Sequence, residues 1–104
     1  MFTIFLSMGL KPGCLEAYQK AHDNLWPEIV RSMRDNEVNM AIYHEQGRLY
    51  VFASAPSEAH WQRSRRETAL ARWDAMITDF VESSPPGKIS FHSPKKVFGF
   101  GQFE

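Results

Sequence analysis

Hydrophobic positions recur along this chain with two periods, one typical of strands and one typical of helices. Runs rich in apolar, aromatic and β-branched residues, each bounded by turn-forming residues, predict strands over Phe2 to Leu10, Val38 to Tyr43, Arg48 to Ala53 and Val97 to Phe100. Residues 44–47 end in a glycine that suits a turn. The second and third runs are therefore predicted to form a β-hairpin.

The first helical region is predicted in two pieces. A helix runs from near residue 14 to about His22. Pro27 cannot donate the backbone N–H that the carbonyl of Asp23 would otherwise accept, so the helix must kink or restart there. Glu28 to Met33 is predicted to continue as a helix after this break, with apolar residues on one face.

A second helical region follows the hairpin. Ser57 is a predicted N-cap for a short helix that passes through Trp61. The clearer helix covers Thr68 to Val81, where apolar residues recur at three- and four-residue spacing, namely Leu70, Trp73, Ile77 and Phe80. Residues 83–87, which are serine, proline and glycine, are predicted to form a loop.

The order strand, helix, strand, strand, helix, strand predicts an α+β fold of the ferredoxin-like βαββαβ type, as a single domain over residues 1–104. In this fold an antiparallel sheet carries both helical regions on one face. The other face also needs cover, and a second copy of the chain is the simplest source. We therefore expect a homodimer.

Composition narrows the classes of function. Twelve basic and twelve acidic residues cancel, so we expect neither nucleic acid nor a membrane as partner, and Arg63 to Arg66 is interpreted as a solvated helix face. The apolar N-terminal run is too short to span a bilayer. Cys14 is the one cysteine, which excludes an internal disulfide and a cysteine-based zinc cage, and no HxH or HExxH spacing predicts a metal site. A reducing, cytoplasmic location fits best.

Tyr18 and His22 are the strongest candidates for chemistry. At helical spacing they lie on one face, one turn apart, and imidazole exchanges protons near neutral pH while a phenol can hydrogen-bond a substrate hydroxyl. This pair suits general acid–base catalysis. The competing interpretation makes His22 a surface residue of its helix, with Trp26 and Trp61 in the core.

The spacing of these residues resembles the L-rhamnose mutarotase family over nearly the whole chain. The resemblance lies in Tyr18, His22, Trp26-Pro27-Glu28, Asn39-Met40-Ala41-Ile42-Tyr43, Trp61, Arg72-Trp73 and Val97-Phe98. It implies a dimeric α+β barrel with a monosaccharide pocket in each subunit. It also implies exchange of the α and β anomers of a deoxy-hexose without metal or organic cofactor, with His22 as catalytic proton donor and Tyr18 in contact with the sugar.

Two positions depart from the family pattern. The family usually has tyrosine where Met40 stands, and a second tryptophan where Asp74 follows Trp73. The resemblance places Met40, Trp73 and Asp74 among the sugar-binding residues. Loss of a phenol and of an indole plane removes one hydroxyl partner and one stacking surface, while Asp74 adds a strong acceptor. A sugar other than L-rhamnose, such as L-fucose, would suit this pocket, unless Asp74 simply faces solvent.

Anomer exchange requires a proton for the ring oxygen and a base for the anomeric hydroxyl. We assign His22 as the donor, and Tyr18, Asp74 or an ordered water as the base. Two other functions suit the same residues. One is a cofactor-free monooxygenase of the same barrel architecture, since fold does not fix chemistry. The other is a sugar-binding module without catalysis.

Overall fold

Four strands form one antiparallel sheet in the computed structural model, which describes residues 1–84 and 88–104. The strands are β1 (Phe2–Gly9), β2 (Asn39–Glu45), β3 (Arg48–Ala55) and β4 (Phe91–His92), arranged in the order β2-β3-β1-β4. This is the strand order of the ferredoxin-like fold, so the predicted α+β class is confirmed.

Within the described residues, four α-helices connect the strands in two pairs. They are α1 (Leu15–Asp23), α2 (Pro27–Asp35), α3 (Glu58–Ser64) and α4 (Ala69–Ile77). Pro27 is the first residue of α2, where its missing N–H costs nothing because the first turn has no intrahelical acceptor. The Ser57 hydroxyl accepts a hydrogen bond of 3.2 Å from the backbone N–H of His60, which confirms the predicted N-cap.

The hairpin between β2 and β3 has a two-residue turn. Gln46 and Gly47 both have positive φ angles, 49° and 76°, as a turn that matches the twist of the flanking strands requires. The register then sets Met40 opposite Ala53 and Ile42 opposite Val51. Side chains of directly paired residues share a face of the sheet, so Met40 faces the same side as the core.

All four helices pack on one face of the sheet. The main core joins sheet residues to residues of α1, α2 and α4, and its buried members are Met8, Leu10, Tyr18, Ile29, Leu49, Val51, Ala69, Leu70, Trp73, Ile77 and Val81. Trp61 of α3 packs against Ala53 and Ala55 on the same face. The opposite face carries Phe5 and Phe52, and the ring of Phe103 from the C-terminal 3₁₀ turn contacts the ring of Phe52.

Two predictions about the second half of the chain need correction. Helix α4 ends at Ile77 rather than continuing to Val81, which instead pairs with Leu10 at the end of β1. The prediction of a final strand over Val97 to Phe100 is wrong. The final strand within the described residues is β4, which pairs with β1. The bridge between Ser83 and Ile89 brings the chain back beside β1 at this point, before it reaches the apolar residues 97–100.

Residues 97, 98 and 100 are instead among the most exposed hydrophobic residues, between 77% and 89% accessible. The predicted loop over 83–87 lies partly outside the described residues, which stop at Ser84 and resume at Lys88. No helix in the described ranges combines the length and apolarity needed to cross a bilayer.

Candidate active site

A cavity of about 1130 Å³ opens between the helix-bearing face of the sheet and the helices. The apolar side chains of Leu6 and Val51 contribute to its sheet wall. The same cavity is lined by every residue that the sequence analysis singled out for chemistry or sugar binding: Tyr18, His22, Met40, Trp73 and Asp74. Such a concave site, mostly apolar with a few convergent polar groups, is typical of small-molecule binding.

An aromatic cluster holds His22 in place. Its ring centroid lies 4.3 Å from that of Tyr18, with an angle of 35° between the planes. Trp73 approaches from α4 at 5.2 Å, nearly perpendicular to the imidazole. Trp26 in turn meets Trp73 at 5.3 Å and 85°. His22 is therefore a half-buried wall of the cavity and not an isolated surface residue, while Trp26 packs against the core as predicted.

A hydrogen bond to the helix backbone sets the chemistry of the His22 ring. Its Nδ1 lies 2.9 Å from the backbone carbonyl oxygen of Tyr18. Because a carbonyl oxygen only accepts, Nδ1 must carry a proton and donate. Nε2 is then the ring nitrogen that takes up or releases a proton, so the helix itself selects the reactive atom.

Tyr18 is almost completely buried, with 6% of its surface exposed. Burial raises the pKa of its phenol to about 12, because the phenolate would lose its hydration. At neutral pH Tyr18 is therefore a neutral phenol that can donate a hydrogen bond. It is poorly suited to the role of general base.

Asp74 is half-buried on α4, directly after Trp73. Burial raises the pKa of its carboxyl group, and the positive charge of Arg65 acts in the opposite direction. Asp74 thus does not face open solvent. Met40, 37% exposed on β2, lines the cavity from the sheet side.

Several cavity residues were missed from the sequence, among them Asp23, His44, Lys88 and Arg65. Arg65 is exposed, as a solvated face requires, yet it also lines the cavity, with its guanidinium 5.3 Å from the ring centroid of Trp61. Trp61 was predicted as core, and it is both buried and part of the cavity wall. The available signal was the spacing of four residues between the two, which places them on neighbouring turns of one helix face.

Among the described residues, no cluster of three histidine, cysteine or acidic side chains is placed to hold a metal ion. Cys14 is a free, half-buried thiol near the start of α1. The polar groups that line the cavity include the imidazole of His22, the phenol of Tyr18, the carboxyl group of Asp74 and the guanidinium of Arg65, together with further polar side chains: Gln19, Asp23, Tyr43, His44, Lys88 and Ser93. These groups suit proton transfer and hydroxyl binding.

Fold and cavity together define a small α+β protein of ferredoxin-like topology with an aromatic pocket between sheet and helices. Two solved structures share this architecture. A crystal structure of an L-rhamnose mutarotase from Formosa agariphila superposes with a TM-score of 0.79 at 21% identity, covering 97% of this chain and 100% of that one. An antibiotic biosynthesis monooxygenase superposes at 0.63 with 13% identity, covering 93% and 99%. At these identities the likeness shows the fold alone.

Sequence comparison goes further. The pattern of the L-rhamnose mutarotase family matches residues 3–100. L-rhamnose mutarotases of Shigella flexneri and of Klebsiella pneumoniae strain 342 are 31% and 29% identical over 94 residues, which are 88% of this chain and 90% of theirs. The chain belongs to the L-rhamnose mutarotase family, whose members are isomerases acting on carbohydrates. The resemblance seen in the sequence is confirmed.

Proposed function

We propose that this protein is a mutarotase that interconverts the α and β anomers of a deoxy-hexose such as L-rhamnose or L-fucose, without metal or organic cofactor. The observation that carries the proposal is His22, which lines the cavity with Nδ1 bound to its own helix and Nε2 left for proton transfer. Family membership supplies the reaction class, since the relatives are named L-rhamnose mutarotases.

The reaction needs one proton to move in each direction. His22, protonated at Nε2, donates to the ring oxygen as the bond between that oxygen and the anomeric carbon breaks. The anomeric hydroxyl loses its proton and becomes the aldehyde oxygen. Rotation of the aldehyde and the reverse transfer close the ring as the other anomer, and His22 regains its proton.

The burial of Tyr18 limits the choice of the group that takes the proton from the anomeric hydroxyl. A phenol with a pKa of about 12 holds its proton too firmly to act as base near neutral pH, so we assign Tyr18 as a hydrogen-bond donor to the sugar. Asp74 and an ordered water remain as acceptors of the anomeric proton. Trp73 offers an apolar ring against which a pyranose can pack, and Met40 closes the sheet side.

We also propose that the protein is a homodimer through the face of the sheet that carries no helix. Phe5 and Tyr43 lie on that face with 40% and 68% of their surface exposed. The nearby C-terminal segment exposes Val97, Phe98 and Phe100. Contiguous apolar surface of this kind commonly marks an interface, and a twofold dimer is the commonest closed arrangement.

We place the activity in the cytoplasm. Cys14 is a free thiol, and the described residues form no disulfide. Free thiols persist in reducing compartments, whereas secreted proteins of this size commonly rely on disulfides.

Anomer-exchange NMR tests the function directly, with L-rhamnose and L-fucose as substrates. We expect exchange by the wild-type protein and a loss of about 10²–10⁴ in rate for His22→Ala, as is typical when one general acid is removed. His92→Ala is the matched control, because His92 is exposed on β4 and is not among the residues lining the cavity.

Saturation-transfer NMR on the same samples separates catalysis from binding alone. A wild-type protein that contacts either sugar without accelerating exchange would be a sugar-binding module and not a mutarotase. Near-normal exchange by a folded His22→Ala variant would remove His22 from the mechanism. Unchanged far-UV circular dichroism establishes that the variant is folded.

A further inference from the structure

Arg65 and Asp74 bring opposite charges to the wall of one cavity from two different helices. Arg65 directly follows α3, and its guanidinium lies over the ring of the buried Trp61. Asp74 lies in the middle of α4 and is half-buried. Arg65 is exposed, and stacking on Trp61 favours a guanidinium position at the cavity wall.

These two charges do not form a contact ion pair. Within the described residues, the one pair closer than about 4.0 Å joins His60 and Glu37, on another part of the surface. The charge of Arg65 nonetheless acts on the carboxyl group of Asp74, opposing the effect of burial on its pKa. The two groups therefore line one cavity and influence each other through their charges without being in direct contact.

We propose that Arg65 is a specificity-determining residue and that one sugar hydroxyl bridges it to Asp74. The hydroxyl would donate to the carboxylate and accept from the guanidinium, which uses both of its hydrogen-bonding functions. The inference rests on the proposed function and identifies the substrate class of the same site. It adds Arg65 to the residues that contact the sugar.

The pair also selects against charged sugars. A uronate at this position would pair with Arg65 but be repelled by Asp74, and an amino sugar would pair with Asp74 but be repelled by Arg65, so neither charge satisfies both groups. A neutral hydroxyl satisfies both charges. An isomer whose hydroxyl points elsewhere leaves a carboxylate and a guanidinium without their partner, which a site built for hydrogen bonding discriminates against strongly.

A double-mutant cycle in which one change is a protein substitution and the other removes a sugar hydroxyl tests the proposed bridge between Arg65 and Asp74. We would measure kcat/KM, kcat and KM for the preferred sugar among L-rhamnose and L-fucose, and for its analogues lacking one hydroxyl each. Arg65→Met keeps the aliphatic stem against Trp61 and removes the donors. Arg66→Met is the matched control, because Arg66 is exposed next to Arg65 and is not among the cavity residues.

We expect Arg65→Met to lower kcat/KM by about ten- to a hundredfold, mainly through KM, and Asp74→Ala to lower it at least as much, with no change for Arg66→Met. One deoxy analogue should lose a similar factor with the wild-type protein and almost nothing with the Arg65→Met, Asp74→Ala double variant. Equal losses in both proteins for every analogue would refute the bridge, as would an Arg65→Met variant with unchanged KM.

Failure of the bridge and failure of the function give different results. If the wild-type protein binds the sugar without exchanging it, mutarotation is refuted, and the same cycle run on dissociation constants from saturation-transfer NMR decides the role of Arg65. If the wild-type protein neither binds nor exchanges either sugar, both proposals are overturned. A preference for a uronate over both neutral sugars would overturn the bridge alone.

Discussion

Replacement of Tyr18 by phenylalanine should reduce the fall in unfolding free energy that the wild-type protein shows as pH rises into the alkaline range. Burial raises the pKa of this phenol from 10.0 to about 12, whereas the unfolded chain titrates with the ordinary value. Below pH 10 both states keep the proton. As pH rises toward 12 the unfolded state binds fewer protons than the folded state, so the free energy of unfolding falls.

The magnitude follows from the shift. Two pKa units correspond to about 2.7 kcal/mol, all of it present below the unfolded pKa and lost once pH exceeds the folded pKa. At about pH 11.5 the two-state expression gives a loss of about 1.9 kcal/mol, because the unfolded phenol is then nearly all ionised and the folded one is not. The Tyr18→Phe variant has no phenol at this position, so it does not show this loss of unfolding free energy, whatever its stability at neutral pH.

Urea unfolding followed by tryptophan fluorescence, from about pH 9 to about pH 11.5, measures the effect. The quantity to compare is the fall in unfolding free energy across the range, which should be smaller in Tyr18→Phe than in the wild-type protein by about 2 kcal/mol. The range from about pH 7 to about pH 9 is the internal control, because the Tyr18 phenol then keeps its proton in both states and the two proteins should give parallel curves. Curves for wild type and Tyr18→Phe that stay parallel above this control range would refute the view that this phenol is held neutral by burial.

Two further predictions concern assembly and specificity. Sedimentation should give a dimer at micromolar concentration. The Phe5→Glu variant should be a monomer, because the substitution adds a charge to the proposed interface. A fully active wild-type monomer would contradict the interface. The double variant Met40→Tyr, Asp74→Trp should move the ratio of kcat/KM for L-rhamnose over L-fucose toward L-rhamnose by about tenfold, because it restores a phenol and a stacking plane. An unchanged ratio would mean that these positions do not discriminate between the sugars.

Local features of the chain were readable from the sequence because short-range chemistry determines them. Pro27 starts α2, Ser57 caps α3, and the turn at Gln46 and Gly47 closes the hairpin. Each effect depends on residues within a few positions. The order of these elements was then enough to predict the sheet topology, since few arrangements of this order bury the apolar faces.

The last strand was not readable for the opposite reason. β4 consists of two residues, and its place is set by pairing with Ser7 and Met8 near the start of the chain. The apolar composition of residues 97–100 predicted a strand there. Apolar residues are also found exposed on protein surfaces, however, and an exposed apolar patch commonly marks a binding surface. Such a short strand has no periodicity to detect.

Arg65 shows how a charge run can mislead. The run over residues 63–66 predicts one solvated face, and Arg63, Arg65 and Arg66 are all exposed, while Ser64 is buried. Arg65 keeps helical dihedral angles at the C-cap of α3, and its backbone N–H donates to the carbonyl of Trp61, so its side chain lies one turn after the Trp61 ring and over it. Which residues of a charge run also line a cavity therefore depends on the helix face that each one occupies.

In the proposed mechanism, the proton donor and two of the residues assigned to sugar recognition come from different elements. Tyr18 and His22 share α1, and the bond from Nδ1 of His22 to the carbonyl of Tyr18 is made within that helix, while Trp73 of α4 packs edge-on against the imidazole. Met40 and Asp74 come from β2 and α4. We therefore expect substitutions at Met40 and Asp74 to change which hydroxyls are accepted while the hydrogen bond made within α1 is kept.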